Sequence, residues 1–455
     1  MDSPAQRACG IAAGRLNLAD YAANFSDAHP PLNRAQALIE AERCYYCYDA
    51  PCTTACPTSI DVPAFIARIA QDNVRGAARE ILTANPLGGM CSRVCPTEQL
   101  CEQACVRNTQ EDKPVEIGAL QRYATDAFMA SGGAPLFQRA AATGRKVAVV
   151  GAGPAGLTCA HQLALQGHDV VLFDARPKLG GLNEYGLASY KTPGDFAQKE
   201  IDWLLSVGGI TPRNNQRLGR DFTLDSLLAE HDAVFLGLGL AGVNALGAAE
   251  PQAEGLRNAV DFIADIRQAA DKSMVPVGLR VVVIGGGMTA VDASVQARLL
   301  GADEVTMFYR RGKDALSASW VEQEWAQTHG VNLRLWAAPQ EILVQDGKVC
   351  GVRMACTRME GDRLQVTQEV FDVPADMVLK AIGQTYVATP AGAAIALRDG
   401  RIDTDDEGRT SVPRVWAGGD CRAGGQDLTV QAVEHGKVAA RAMHQALTSA
   451  VAAGV

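Results

Sequence analysis

Cys44, Cys47, Cys52 and Cys56 fall within one short stretch, CYYCYDAPCTTACP, and Pro57 follows the last of them directly. A second group comes later: Cys91, Cys95 with Pro96 after it, Cys101 and Cys105. Eight of the 13 cysteines therefore lie between 44 and 105, while Cys9, Cys159, Cys350, Cys356 and Cys421 are scattered and read as small buried hydrophobes. Zinc sites usually show paired CxxC knuckles or cysteine with histidine. Here there is one CxxC, two Cys-Pro pairs and no histidine between Pro31 and Thr143. Disulfides need an oxidising compartment. A dense cysteine run closed by Cys-Pro is the mark of 4Fe–4S ligation, in which the ligands of neighbouring clusters interleave. Such clusters carry electrons singly.

Two further motifs supply what an electron carrier needs upstream. Gly151-Ala152-Gly153-Pro154-Ala155-Gly156 follows the apolar run KVAVV directly and opens a helical pattern. Gly151 permits the tight turn, Gly153 lets backbone approach a pyrophosphate, and Gly156 lets helix and strand pack closely. The helix N-terminus then offers N–H groups and a positive dipole end to the phosphates. Asp174 closes the next strand, VVLFD, where a carboxylate can accept from ribose hydroxyls. The pattern recurs as Gly285-Gly286-Gly287-Met288-Thr289-Ala290 after RVVVI, but its second strand ends in Tyr309-Arg310-Arg311 with no acid. Arginines there favour the 2′-phosphate of NADP.

These motifs imply three blocks. Residues 1–140 hold the cysteines among short helical segments, and a small-residue stretch, ASGGAPLFQRAAATG, reads as a linker. Two strand–turn–helix–strand units follow, starting near 146 and 280, and a closing segment carries Gly418-Gly419-Asp420 before a final helix. The plan resembles that of the two-dinucleotide flavoprotein reductases, and the resemblance implies a helical 4Fe–4S domain at 1–140, an FAD-binding domain split between 141–255 and 385–455, and an NAD(P)-binding domain at 256–384. The expected fold class is α/β: an N-terminal α-helical iron–sulfur domain, then two Rossmann-like domains, the second, by that resemblance, inserted in the first.

The composition agrees. With 47% hydrophobic and only 5% aromatic residues and 45 glycines, the chain suits parallel strands linked to helices by Gly-rich turns. A net charge of −9 lacks the basic footprint of a nucleic-acid binder. The opening residues lack a basic region followed by an apolar run, and the apolar stretches elsewhere are broken by Gly, Pro, Gln and His, so no membrane span and a cytoplasmic location are expected.

GAGPAG at the start of the second block, paired with AGGD near the end of the chain, resembles the two-dinucleotide flavoprotein disulfide reductases. That resemblance implies FAD on the first unit, with Gly419 and Asp420 returning to the flavin, and NAD(P)H on the second. No redox-active CxxC follows the FAD motif, so dithiol chemistry is not expected.

The cysteine block, through NPLGGMCSRVCPTEQLCEQAC and EIGALQRYATD, resembles the N-terminal iron–sulfur domain of the dihydropyrimidine dehydrogenase family, and the likeness runs over nearly the whole chain. It implies one cluster on Cys44, Cys47, Cys52 and Cys105. A second would take Cys56, Cys95, Cys101 and a glutamine, matched by Gln121, with Cys91 a spectator. Spacing alone does not choose Gln121 over Cys91. Flavin contacts would map to Val94, to the 174–182 loop with Gly181 and Leu182, and to Lys191 and Thr429. Nicotinamide-coenzyme contacts would map to Gly286 through Thr289, Arg310, Arg311, Ala381, Ile382 and Gly383. NADPH-using relatives carry a further arginine where this chain has Ser317, which leaves NADH and NADPH both open.

The chain ends before the FMN barrel of the long enzyme would begin. It therefore resembles an electron-input subunit, with a separate FMN- and iron–sulfur-containing subunit as expected partner in a hetero-oligomer that reduces uracil or thymine. The glutamate synthase small subunit shares the plan and is the nearest alternative. A general NAD(P)H-dependent electron-transfer module is another.

Overall fold

The computed structural model describes residues 10–132, 135–388 and 395–453; Cys9 lies outside them. The chain divides into two compact units, one formed by the described residues of 1–28, 185–193 and 242–385, the other by those of 29–184, 194–241 and 386–455.

The first unit is built on a five-stranded parallel sheet ordered Val331–Leu335, Glu304–Tyr309, Arg280–Ile284, Met377–Lys380, Leu256–Asn258. Its central strand reads RVVVI because both faces are covered, as parallel sheets require. Helices Ala259–Gln268, Met288–Leu299 and Trp320–Thr328 bury Phe262, Ile263, Val291 and Val295 in the accompanying core. The order reverses at Arg280–Ile284, whose neighbours are Glu304–Tyr309 on one side and Met377–Lys380 on the other. A ligand crevice belongs outside the carboxyl end of that strand.

A three-stranded antiparallel meander, Ala337–Gln345, Lys348–Glu360 and Arg363–Pro374, is inserted before Met377–Lys380. Residues 10–28, expected within the helical block, pack here instead. Ile11–Ala12 pairs with Val277–Gly278, Arg15 Nε donates to the Val277 carbonyl at 2.9 Å, and Tyr21 enters the core.

The second unit carries another five-stranded parallel sheet, ordered Val415–Ala417, Ala233–Leu236, Lys146–Val150, Asp169–Phe173, Ile210–Arg213. Helices Pro154–Leu165 and Thr429–Ala453 pack against each other. The same unit holds the helical block. Helix Arg34–Glu42 starts in a capping box in which Asn33 and Gln36 each accept the other's backbone N–H. Helix Val62–Ala70 starts on Asp61, whose carboxylate accepts the Ala64 N–H, with Pro63 in the first turn. Its apolar face, Phe65, Ile66 and Ile69, meets Ala77 and Ile81 of Val74–Ala84 and Leu120 of Ile117–Ala130. Each large side chain so buried contributes roughly 2 kcal/mol. Among the described residues no helix is long and apolar enough to cross a membrane.

Candidate functional site

In the second unit the Gly151–Gly156 turn joins Lys146–Val150 to Pro154–Leu165. Gly151 has φ 95°, and a Cβ there would overlap the Gly237 carbonyl; one on Gly156 would overlap the Gly151 carbonyl. Only glycine fits either position. Gly153 is the N-cap and supplies no side chain, so the helix start is left with bare N–H groups. Gly181, at φ 55°, brings the 174–182 loop so close that its Cβ would lie 2.7 Å from the Gly153 Cα. A Cβ on Gly419 would lie 3.1 Å from Ala155 Cβ. Four separate segments thus converge on one glycine-lined cradle, the shape a dinucleotide pyrophosphate needs and a Cβ would fill.

The acids of the cradle are accounted for. Asp174 accepts the Ala152 N–H at 2.7 Å through one oxygen and the Arg176 N–H at 2.8 Å through the other. Burial raises its pKa against those two donors. It braces the turn, and each oxygen keeps a lone pair for a hydroxyl. Burial, helped by Asp427 and opposed by Arg401, pushes Asp420 to about 7. The Gly419 N–H donates to His435 Nδ1 at 3.2 Å, and the Thr429 hydroxyl to Asn183 at 2.9 Å. Leu182 is exposed, and Val94 is half-buried at the end of helix Gly88–Val94.

The first unit repeats the cradle. A Cβ on Gly285 would overlap the Ala381 carbonyl, and one on Gly286 the Tyr309 ring. The Gly286 carbonyl accepts N–H groups from Ser317 at 3.1 Å and Ala318 at 3.0 Å, folding the loop after Arg310 and Arg311 over the turn. Met288 and Thr289 form the first turn of Met288–Leu299. Asn244 donates to the Ile382 and Gly383 carbonyls at 3.1 and 3.3 Å. Lys191 also lies in this unit, with its ammonium 2.7 Å from both Asp292 and Glu322. Burial opposes its charge, but the two carboxylates prevail and hold its pKa well above the ordinary lysine value.

The cysteines form two sets in the helical block. Cys44, Cys47, Cys52 and Cys105 line one pocket with about 370 Å³ of atom-free space, counting its mouth. Cys95 donates its backbone N–H to the Cys91 carbonyl at 3.0 Å, and the neighbouring Cys91, then burial, then Cys101 and Cys56 hold its thiol well above the ordinary value. No three His, Cys, Asp or Glu side chains among the described residues converge tightly enough for a single metal ion. Burial raises the Cys44 thiol and lifts Cys52 to about 11. Thiols so placed give up their protons only to a positive centre, and an all-sulfur donor set is the kind that holds an iron–sulfur cluster. Gln121 is buried on Ile117–Ala130 and donates to the Gly88 carbonyl at 2.6 Å, against the helix that bears Cys91 and leads into Cys95.

Residues 21–133 match the family model described as dihydropyrimidine dehydrogenase domain II, 4Fe-4S cluster, and residues 145–436 match the model for pyridine nucleotide-disulphide oxidoreductases. The chain belongs to the pyridine nucleotide-disulphide oxidoreductase family. The glutamate synthase (NADPH) small chain of Escherichia coli (strain K12) is 35% identical over 439 residues, 91% of this chain and 92% of that one. The NAD-dependent dihydropyrimidine dehydrogenase subunit PreT of the same organism is 34% identical over 421 residues, 92% and 97% of the two chains. Its putative oxidoreductase AegA is 34% identical over 441 residues, which span 92% of this chain and 66% of AegA. Mycobacterium tuberculosis FprA in complex with NADPH shares the fold at a TM-score of 0.57 and 18% identity, over 68% of this chain and 86% of that one.

This oxidoreductase is an NAD(P)-dependent enzyme that uses FAD and 4Fe–4S iron–sulfur chemistry. The motif reading missed two parts of its flavin-side cradle. One is Gly237, at the end of Ala233–Leu236, whose carbonyl forces glycine at Gly151. The only signal was a GLGL run after an apolar strand. The other is His435, which no motif marks and which burial, with Arg422 adding, lowers to about 4.

Proposed function

We propose that this oxidoreductase is the electron-input subunit of a dihydropyrimidine dehydrogenase, and that a partner subunit carrying FMN reduces uracil or thymine to the 5,6-dihydro form. The first unit's cradle would hold NAD(P)H, the second unit's cradle FAD and the cysteine sets two 4Fe–4S clusters, groups that would supply hydride transfer and single-electron carriage. The residues act by binding and orientation. The bare N–H groups of Pro154–Leu165 take the flavin pyrophosphate, with Asp174 and Asp420 on its hydroxyls. Gly285 through Thr289 take the coenzyme pyrophosphate, while Arg310 and Arg311 face its adenosine end. Cys44, Cys47, Cys52 and Cys105 hold one cluster. Cys56, Cys95 and Cys101 hold the other, completed by Gln121 or Cys91.

The observation that carries the pyrimidine reading is Gln121, buried and set against helix Gly88–Val94, which bears Cys91 and leads into Cys95. A solvated helix glutamine would point outward. The order of the sets is argued from two links to the flavin half. Glu200 of helix Phe196–Leu205 accepts the Gly89 and Met90 N–H groups at 2.7 and 3.2 Å, and Lys437 donates to the Thr58 and Ala84 carbonyls at 3.0 and 2.8 Å. Both touch the Cys56–Cys95–Cys101 neighbourhood, so that set receives electrons first.

The test uses anaerobically purified holoprotein with and without its co-purified FMN subunit. NADH and NADPH oxidation is followed with uracil, and separately with 2-oxoglutarate plus glutamine. Uracil-dependent turnover confined to the mixture is expected, with menadione reduction by the chain alone. Dihydrouracil made by the chain alone would overturn the division of labour. Glutamate formed by the mixture would assign the chain to the glutamate synthase side, which the 35% identity to that small chain makes the second reading.

A further inference from the structure

The loop that carries Cys44, Cys47 and Cys52 presents three tyrosines outward. Tyr45 and Tyr46 are nearly half exposed and Tyr48 is fully exposed. No other tyrosine among the described residues is exposed, and Tyr21 and Tyr190 are buried. The loop is held in this shape. Tyr45 donates to Gln110 at 2.6 Å with the Arg107 guanidinium 3.9 Å over its ring. Tyr46 and Ala50 sit at φ 51° and 35°, left-handed values that a side chain adopts only under constraint. An open groove runs beside the rings, lined by Tyr46, Tyr48 and Asp49 on one wall and by Asp61, Ala64 and Ala67 on the other, and Cys47 reaches it. Two acids line it and no cation does.

We propose that this face is the electron outlet, where a one-electron acceptor protein docks through a lysine- and arginine-ringed surface around its redox centre. The inference rests on the electron-transfer reading above. The first cysteine set opens here, through Cys47, while the second is the one tied to the flavin half by Glu200 and Lys437. Rigid aromatic rings give contact area at small entropy loss, and they are the residues enriched at interface centres. Asp49 and Asp61 supply the field that steers a basic partner. The balance closes: one NAD(P)H and two oxidised acceptors give NAD(P)⁺, one proton and two acceptors each reduced by one electron.

Cytochrome c, a basic haem protein and one-electron acceptor, is the probe, and menadione, a small neutral quinone, is the reference. Anaerobic holoprotein is assayed as wild type, Asp49→Lys, Tyr48→Ala and, as a charge-reversal control on an exposed meander turn of the other unit, Asp362→Lys. The expected result is a cytochrome c rate constant that falls steeply with salt in the wild type. It should drop roughly tenfold in Asp49→Lys and several-fold in Tyr48→Ala, with menadione rates within about twofold throughout. Unchanged cytochrome c rates in both groove variants, or an equal loss in Asp362→Lys, would overturn the outlet. Absence of menadione turnover in the wild type would instead remove the electron-transfer reading, and the outlet with it.

Discussion

At the scale of single residues, burial decides more than motif membership does. His161 sits inside helix Pro154–Leu165 with the Phe137 and Trp203 rings 6.0 and 5.9 Å away, and burial alone lowers its pKa to about 4. An unfolded histidine titrates near 6.5, so the folded state holds fewer protons at this site between those values. The contribution is therefore fully present above pH 6.5 and is lost as pH falls toward 4. Between pH 7.5 and 5 this one ring should remove roughly 2 kcal/mol of stability. His161→Leu should flatten that part of the curve, read from urea midpoints at the two pH values. A variant with the wild-type slope would mean the ring is reached by water. The same priority of burial explains what the motifs could and could not convey. The glycines, Asp174 and the cysteine-rich run stood out because their chemistry demands close spacing, whereas the division of the cysteines into two sets came from the family resemblance. Gln121 was not readable from spacing, because a glutamine in IGALQR looks like any helix surface until Gly88 is found beneath it.

At the scale of elements, the two strand–turn–helix units were the plainest part of the sequence, since β-branched runs such as KVAVV and RVVVI precede glycine-rich turns. The meander was not anticipated. Arg363–Pro374 is largely exposed and carries no apolar run, so nothing in its pattern marks it until Lys348–Glu360 pairs with it. Residues 10–28 were likewise assigned by proximity in sequence, whereas Ile11 and Tyr21 belong to a core some 260 residues away. One helix contact yields a prediction. Gly436 lies inside Thr429–Ala453, where glycine costs roughly 1 kcal/mol relative to alanine. A Cβ there would overlap the Ala155 carbonyl and come within 3.0 Å of Thr158 Cβ. Gly436→Ala should push Pro154–Leu165 off its partner. The expected net loss is about 1–2 kcal/mol, the overpacking penalty less the gain in helix propensity. Because that helix begins at the glycine cradle, flavin retained after gel filtration should fall as well. A stabilised, fully flavinated variant would refute the close-approach argument.

At the scale of the whole molecule, the helical block and the parallel sheet of the second unit are stabilised by different means. The sheet has a contiguous apolar core that runs from Val147 and Val149 through Leu163 and Phe235 to Val433 and Met443. The block's core is smaller, and Cys44, Cys52, Cys56, Cys101 and Cys105 pack against it as partly buried members. Between Cys95 and Ile117 the only regular pieces are Thr97–Gln99 and Asn108–Glu111, and the backbone hydrogen bonds there are short-range turn bonds such as Cys105 N–H to the Glu102 carbonyl, which tie the stretch to itself and not to a helix or sheet. Metal binding by such ligands is folding energy for the segments that supply them. Iron removed by a chelator under mild oxidation should therefore release residues 44–56 and 95–116 to fast hydrogen exchange. Helix Ile117–Ala130 should lose protection partially, because it still packs on Gly88–Val94 and Val74–Ala84. Strands Lys146–Val150 and Asp169–Phe173 should keep theirs, since none of their core residues is a candidate ligand. Exchange read by mass spectrometry separates the outcomes. Equal loss in block and sheet would mean that the Glu200 and Lys437 bridges couple them into one cooperative fold. Retained protection at 95–116 would mean that packing, not metal, fixes the second cysteine group.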